Sequence, residues 1–262
     1  MRAAAPPCRL LQASLRAAGT RASALPRLFA SPLPERRFAL PAEEAKHVRA
    51  LRLRHGDALE LFDGDGSFVE CSITGVDARG AVEVEPRGQP HSVPWSGAAW
   101  TLAVAVSSLG ARADWLVEKA AELGVRSFCP LFTKNCQRAS QQSELARWGR
   151  VSLAASKQSQ RLHGMRVLAP ASLPELLASS PHVFSLVALQ GGVNLQSLLS
   201  AHPDQVASGG LLLVGPPGDF TEEEKDTLLA AGAHGVSLGP HRLRTETAAL
   251  ALVSACSAAS WS

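Results

Sequence analysis

From about residue 99 to its end the chain alternates short, wholly apolar runs with longer segments of helical spacing, and this alternation narrows the choice of fold most. The runs AWTLAVAVSS, RSFCPLF, VFSLVAL, GGLLLVGPPG and HGVSLG read as strands. Between and after them, ARADWLVEKAAELG, SELARWGRVSLAASKQSQ, TEEEKDTLLAAG and TETAALALVSACSAAS read as helices. A strand that is apolar on both faces needs cover on both, so the pattern predicts a parallel sheet flanked by helices. In the first helix Trp115, Leu116, Lys119, Ala120 and Leu123 share the helical spacing, and Gly124 suits the position just past its end. In the third, Thr221 as N-cap and Glu224 three residues on form a capping box, and Gly232 ends the helix.

Residues 34–90 follow a different pattern. A short strand-like piece and a helical stretch with Val48 and Leu51 on one face come first. Alternating runs follow, broken by Asp63-Gly64, Asp65-Gly66, Gly75 and the Asp77 to Gly80 turn. Asp-Gly pairs between alternating apolar residues signal hairpins, and several in succession predict a small β-barrel. The Pro-containing, aperiodic stretch at 91–98 reads as a linker, which leaves 99–262 as the α/β domain.

Residues 1–33 form a third region. Arg2, Arg9, Arg16, Arg21 and Arg27 are spread among Ala, Leu and Ser, and no acidic residue precedes Glu35. This is the composition of an organellar transit peptide, and a disordered basic arm is the alternative; the first reading places the protein in a chloroplast stroma or mitochondrial matrix. The rest has ordinary globular composition, 46% hydrophobic and 19% charged, which excludes a largely disordered chain. No apolar run is long enough to span a bilayer, so no membrane association is expected. The five cysteines, odd in number and without a CxxC pair, argue against a disulfide framework and a metal site; buried thiols are expected. A net charge of +3 permits nucleic-acid binding without arguing for it, so the distribution of charge matters more. Arg36, Arg37, Lys46, Arg49, Arg52 and Arg54 cluster in the small domain, with His47 and His55 among them, a set that reads either as a phosphate-tracking face or as an ordinary solvated one offset by Glu35, Glu43 and Glu44. Lys157, Arg161, His163 and Arg166 form a second basic set.

Two strand ends are candidates for chemistry, because open α/β sheets bind ligands at the carboxyl ends of their strands. One is Leu211–Val214 followed by Gly215-Pro216-Pro217-Gly218-Asp219-Phe220. The other is Val236–Gly239 followed by Pro240 to Thr247. Glycine at a strand end permits a sharp turn or a close approach to a ligand. Neither segment is a dinucleotide fingerprint or a P-loop. Taken singly, the first is also explained as a tight strand-to-helix turn, and the second as a helix start capped by Thr245.

In this order, however, VGPPGDFTEEE and VSLGPHRLRTETAALALV resemble the C-terminal signature of the RsmE family of 16S rRNA uridine-N3 methyltransferases, whose pattern runs GPEGGF, then SLG and LR-x-ETA. ADWLVEKAAELGV and HVRALRLRHGDALELFDGDG also match, so the resemblance covers the chain from about Phe38 onward. It implies a PUA-like RNA-binding barrel followed by a SPOUT domain, an α/β fold with a C-terminal trefoil knot. It further implies S-adenosylmethionine as cofactor, a homodimer, and a uridine of the small-subunit rRNA as substrate.

Carried over by position, Gly215 and Gly218 would line the cofactor, and Leu238 and Gly239 would lie along its adenosine. Leu243, Arg244, Thr245 and Glu246 would form the loop around it, with Leu189 and Gln190 as further contacts. Arg244 is the candidate for stabilising a uracil anion and Glu246 for base or positioning. The family's Glu and second Gly in GPEGGF are Pro217 and Asp219 here. That departure keeps two other readings open: a non-catalytic ribosome-assembly factor, and a SPOUT enzyme acting on another RNA position.

Overall fold

The computed structural model describes residues 25–106, 109–137, 140–179 and 184–260. Most of the expected leader, and with it Cys8, lies outside these residues. Two compact units form, one from residues 25–96 with 156–164, the other from 97–155 with 165–260.

The first unit holds β1 (Arg27–Phe29), β2 (Phe38–Ala39), α1 (Ala42–Ala50), β3 (Ala58–Phe62), β4 (Ser67–Val76), β5 (Val82–Pro86) and β6 (His91–Ser92). Its sheet runs β1-β3-β4-β5-β2, with β6 on β4. The Asp-Gly turns make the expected hairpins. Asp63 accepts the backbone N–H groups of Asp65 and Ser67, and Asp77 those of Arg79 and Ala81. Gly64, Gly66 and Gly80 take the positive φ these turns need. Inward residues including Leu59, Leu61, Val69, Ile73, Val82 and Val84 join Val48 of α1 in one core. Leu51, expected beside Val48, is exposed, because the helix ends there and Arg52 turns into the left-handed region.

Other features of this unit also differ from the sequence reading. Arg27–Phe29 pairs in parallel with β3, so a strand lies inside the stretch assigned to the leader. β6 pairs with β4 inside the expected linker. Residues 156–164 pack here, where Lys157 meets Glu44 and the His163 ring meets the Val93 carbonyl. Lys157 is largely covered, and Arg161 and His163 are buried, so the second basic set is structural apart from exposed Arg166. Its burial came from partners distant in sequence, Glu44 above all.

The second unit comprises β7 (Thr101–Val104), α2 (Ala111–Glu122), β8 (Ser127–Phe132), most of α3 (Gln142–Gln158), β9 (Arg166–Val167), β10 (Ala171–Ser172), α4 (Leu173–Ser179) and β11 (Ser185–Asn194). It continues through α5 (Leu195–Ala201), α6 (Pro203–Ser208), β12 (Leu211–Val214), α7 (Glu222–Ala230), β13 (His234–Ser237) and α8 (Thr245–Ala259). Every strand pair is parallel, in the order β10-β8-β7-β12-β11-β13 with β9 on β8. The wholly buried Leu211–Val214 sits between β7 and β11, and apolar clusters lie on both faces, as the apolar runs require. The capping box of α7 is present, with Thr221 and Glu224 bonded reciprocally. On α2 the buried stripe is Ala113, Leu116, Val117, Ala120 and Ala121. Trp115 lies at its edge and is 47% exposed, so the sequence reading set that stripe one position off.

The described cysteines are free and buried, and burial pushes the Cys71 and Cys256 thiols up to about 12. Among the described residues no cluster suits a metal ion, and no helix is long and apolar enough to cross a membrane.

Candidate active site

The end of the first paired run of β11, at Ala188, and the carboxyl ends of β12 and β13, strands adjacent in the sheet, meet the first turn of α8 around a pocket of ≈ 730 Å³. Each end reaches it by a distinct local device. On β11, Ala188 and Val193 both pair with Val236, so residues 189–192 leave the ladder, and Leu189 and Gln190 line the pocket. Gly192 lets the chain return: a Cβ there would lie 2.6 Å from the Gly235 backbone.

At the end of β12 the chain turns over buried Phe220, and a Cβ on Gly215 would press it at 3.1 Å. The Asp219 N–H donates to the Pro216 carbonyl at 2.8 Å and closes the turn. Asp219 has φ +66°, a left-handed conformation that short polar side chains tolerate when they bond locally. Its carboxylate does so, accepting from the Phe220 N–H at 2.8 Å and pairing with Lys225 at 2.9 Å. The residue in the place of the family's glycine thus takes a backbone conformation that glycine adopts readily. Asp219→Gly should be tolerated. Asp219→Val, β-branched and without those bonds, should cost about 1–2 kcal/mol in urea unfolding.

Beyond β13, Gly239 has φ +128° with open space where a Cβ would stand. Such backbone favours glycine, and the Ser237 hydroxyl bonds it on both sides, accepting from the Gly239 N–H at 3.4 Å and donating to its carbonyl at 3.3 Å. Two bonds tie this loop to the previous one: Thr245 Oγ1 donates to the Gly215 carbonyl at 3.1 Å, and Arg242 to that of Pro217 at 3.1 Å. Thr245 is therefore not the cap of α8. Arg244 occupies that position without a side-chain cap bond, and buried Thr245 stands one residue inside.

Glu246 is 6% exposed and accepts from Arg112 Nη1 at 2.7 Å. Burial by itself would raise its pKa. Its own backbone amide, the Arg112 bond and the Arg112 and Arg244 charges outweigh that and hold the carboxyl below its ordinary value. It is therefore ionised at neutral pH. This pairing contributes stability above the ordinary carboxylate range and loses it as pH falls through the lowered value.

Leu189, Gln190, Gly215, Leu238, Gly239, Leu243, Arg244, Thr245 and Glu246 all line the pocket, as expected from their positions. Gly218 does not. It faces Asn135, whose amide donates to the Asp219 carbonyl at 2.9 Å. Sequence reasoning missed Arg112, the contribution of α2, because nothing in the spacing of an amphipathic helix joins it to a carboxylate 134 residues away. On the small unit, Arg36, Arg37, Lys46, Arg49, Arg52 and Arg54 are all exposed. Arg37 pairs with Glu83 and Arg49 donates to the Gly80 carbonyl, while Glu44 is buried against Lys157 and does not offset their charge.

An all-parallel sheet with a pocket of this size at its strand ends defines an α/β domain built to bind a small-molecule ligand. The chain belongs to the RNA methyltransferase family: residues 97–257 match the RNA methyltransferase domain, and residues 40–86 match the RNA methyltransferase PUA domain. Ribosomal RNA small subunit methyltransferase E of Bacillus subtilis is 28% identical over 84% of this chain and 89% of its own. The same-named protein of Aquifex aeolicus is 28% identical over 80% and 90%. The crystal structure of a Neisseria gonorrhoeae ribosomal RNA small subunit methyltransferase E, bound to S-adenosyl methionine, superposes with a TM-score of 0.76 at 29% identity, covering 88% of this chain and 96% of that one. The RsmE resemblance drawn from the motifs is borne out.

Proposed function

We propose that the protein transfers a methyl group from S-adenosylmethionine to N3 of a uridine in small-subunit rRNA. The observation that carries this is the pairing of the two signature loops, Thr245 to Gly215 and Arg242 to Pro217, around one pocket in an RNA methyltransferase domain. The residues present suit the cofactor. Leu189, Leu238 and Leu243 offer apolar walls to a planar base, Gly239 presents no side chain to obstruct it, and ionised Glu246 supplies an acceptor beside them.

When bound, the cofactor supplies a methyl group on a sulfonium centre. The chain's own part is orientation and electrostatics. Uracil N3 carries a proton at neutral pH and attacks poorly until it is lost, so cationic side chains that hold the uracil anion speed the reaction. Glu246, held below its ordinary pKa, is a weak proton acceptor. It serves as a fixed acceptor that orients Arg112 and the start of α8, and of its two suggested roles positioning is the one its environment favours. Arg244 sits at the pocket edge close enough to bias Glu246 by its charge. On the RNA side the exposed basic residues of the first unit, with Arg52 and Arg54 just past α1, contact phosphates. The protein further forms a trefoil knot and a homodimer, and the composition of its leader supports a place in a chloroplast or mitochondrion.

Methylation at N3 blocks the Watson–Crick face, so the target must be unpaired on the enzyme. Small subunits from a strain lacking the modification, incubated with protein and cofactor, should give one new reverse-transcription stop at a uridine. Subunits that are bound but yield no stop would instead support the assembly-factor reading.

A further inference from the structure

We propose that Arg112 is a catalytic residue, the preorganised cation that carries the negative charge on the uracil ring when N3 loses its proton. The proposal rests on the uridine-N3 reading above. Arg112 enters from the first turn of α2, and its Nη1 is fixed at 2.7 Å by Glu246, which is itself buried in the first turn of α8. Its side chain is 46% exposed and lines the pocket, so the rest of its guanidinium fork remains available there. Donors already held in place stabilise developing charge best, because they need no reorganisation during the reaction.

The other pocket arginines are as exposed but are held differently. Arg242 spends one N–H on the neutral Pro217 carbonyl, and Arg244 stands at the N-cap of α8 without a side-chain cap bond, so of the three Arg112 is the one fixed by a carboxylate. They offset the charge of Glu246, while the Asp219 carboxylate is paired with Lys225, so the pocket keeps a positive excess. His241 lines it as well. In the step itself N3 gives its proton to water, and the negative charge spreads over O2 and O4 beside Arg112. The N3–methyl bond then forms as the carbon–sulfur bond of the sulfonium donor breaks, its electron pair staying on sulfur.

The test uses Arg112→Lys and Arg112→Met on two substrates: small subunits with ordinary uridine, and subunits carrying 5-fluorouridine, whose N3–H is more acidic. Single-turnover rates on uridine should fall about 10²–10³-fold. Calorimetric affinity for the cofactor should stay within a few-fold, and the rise of rate with pH should move to higher pH. On 5-fluorouridine most of the loss should be recovered. An equal loss on both substrates with an unmoved pH profile would assign Arg112 a merely structural role and overturn the proposal. So would full activity, or a fall in cofactor affinity parallel to the rate. If Arg112→Met fails to fold with Glu246 unpaired, Arg112→Lys, which keeps a charge opposite Glu246 but loses the planar fork, carries the test. A wild-type protein that makes no 3-methyluridine would instead sink the underlying reading, whatever the variants do.

Discussion

Arg27→Met is expected to destabilise the first unit by about 3–5 kcal/mol, because it strands a buried carboxylate. The Arg27 and Glu60 side chains are 0% and 1% exposed and are paired, and Arg27 also donates to the Gln160 carbonyl. Taking one charge away leaves the other without water or a partner. Removing both in Arg27→Met/Glu60→Leu should recover most of the loss, since apolar replacement of a buried pair is often neutral. Hydrogen exchange of the β3 and β4 amides reports on this unit directly. Equal destabilisation by the single and double variants would mean that the pair's packing, not its charge, matters.

Gly192→Ala is expected to reduce cofactor affinity by about tenfold or more, which corresponds to roughly 1.4 kcal/mol or above. The new Cβ would fall 2.6 Å from the carbonyl carbon and oxygen of Gly235, and 2.7 Å from that carbon of Val236. These are backbone atoms of β13 and cannot swing aside as a flexible side chain would. The strands must part or the return of residues 189–192 must shift, and either moves Leu189 and Gln190 against Leu238 and Gly239. Overpacking of this kind should also cost about 1–3 kcal/mol of stability. Calorimetric titration of the variant checks the first figure and urea unfolding the second. Unaltered binding with lowered stability would detach the β11 excursion from the site.

Features carried by local sequence rules were legible in advance. Apolar strands interleaved with helices gave the parallel sheet, the Asp-Gly turns gave the hairpins, and Thr221 with Glu224 gave the start of α7. Both glycine-ended strands proved to face one pocket, although their cross-links through Thr245 and Arg242 had no sequence signal. Features that depend on distant partners were not legible. Burial of Arg27, Lys157, Arg161 and His163 contradicts their charge until the rest of the first unit is in place. Trp115 fits a helical stripe by spacing yet falls on its exposed margin. Gly218 turned out to pack on Asn135, since a motif fixes the path of a turn better than the neighbour each residue faces. The short β9, β10 and α4 to α6 are too brief to leave a periodic trace.

The most direct test of uridine-N3 methylation is the identity of the product nucleoside. Small subunits from a strain lacking the modification would be treated with this protein and S-adenosylmethionine, and the rRNA digested and resolved by mass spectrometry against standards. The account predicts a single new species, 3-methyluridine, absent when the cofactor is omitted. A ribose-methylated nucleoside, or no new nucleoside despite bound subunits, would contradict it.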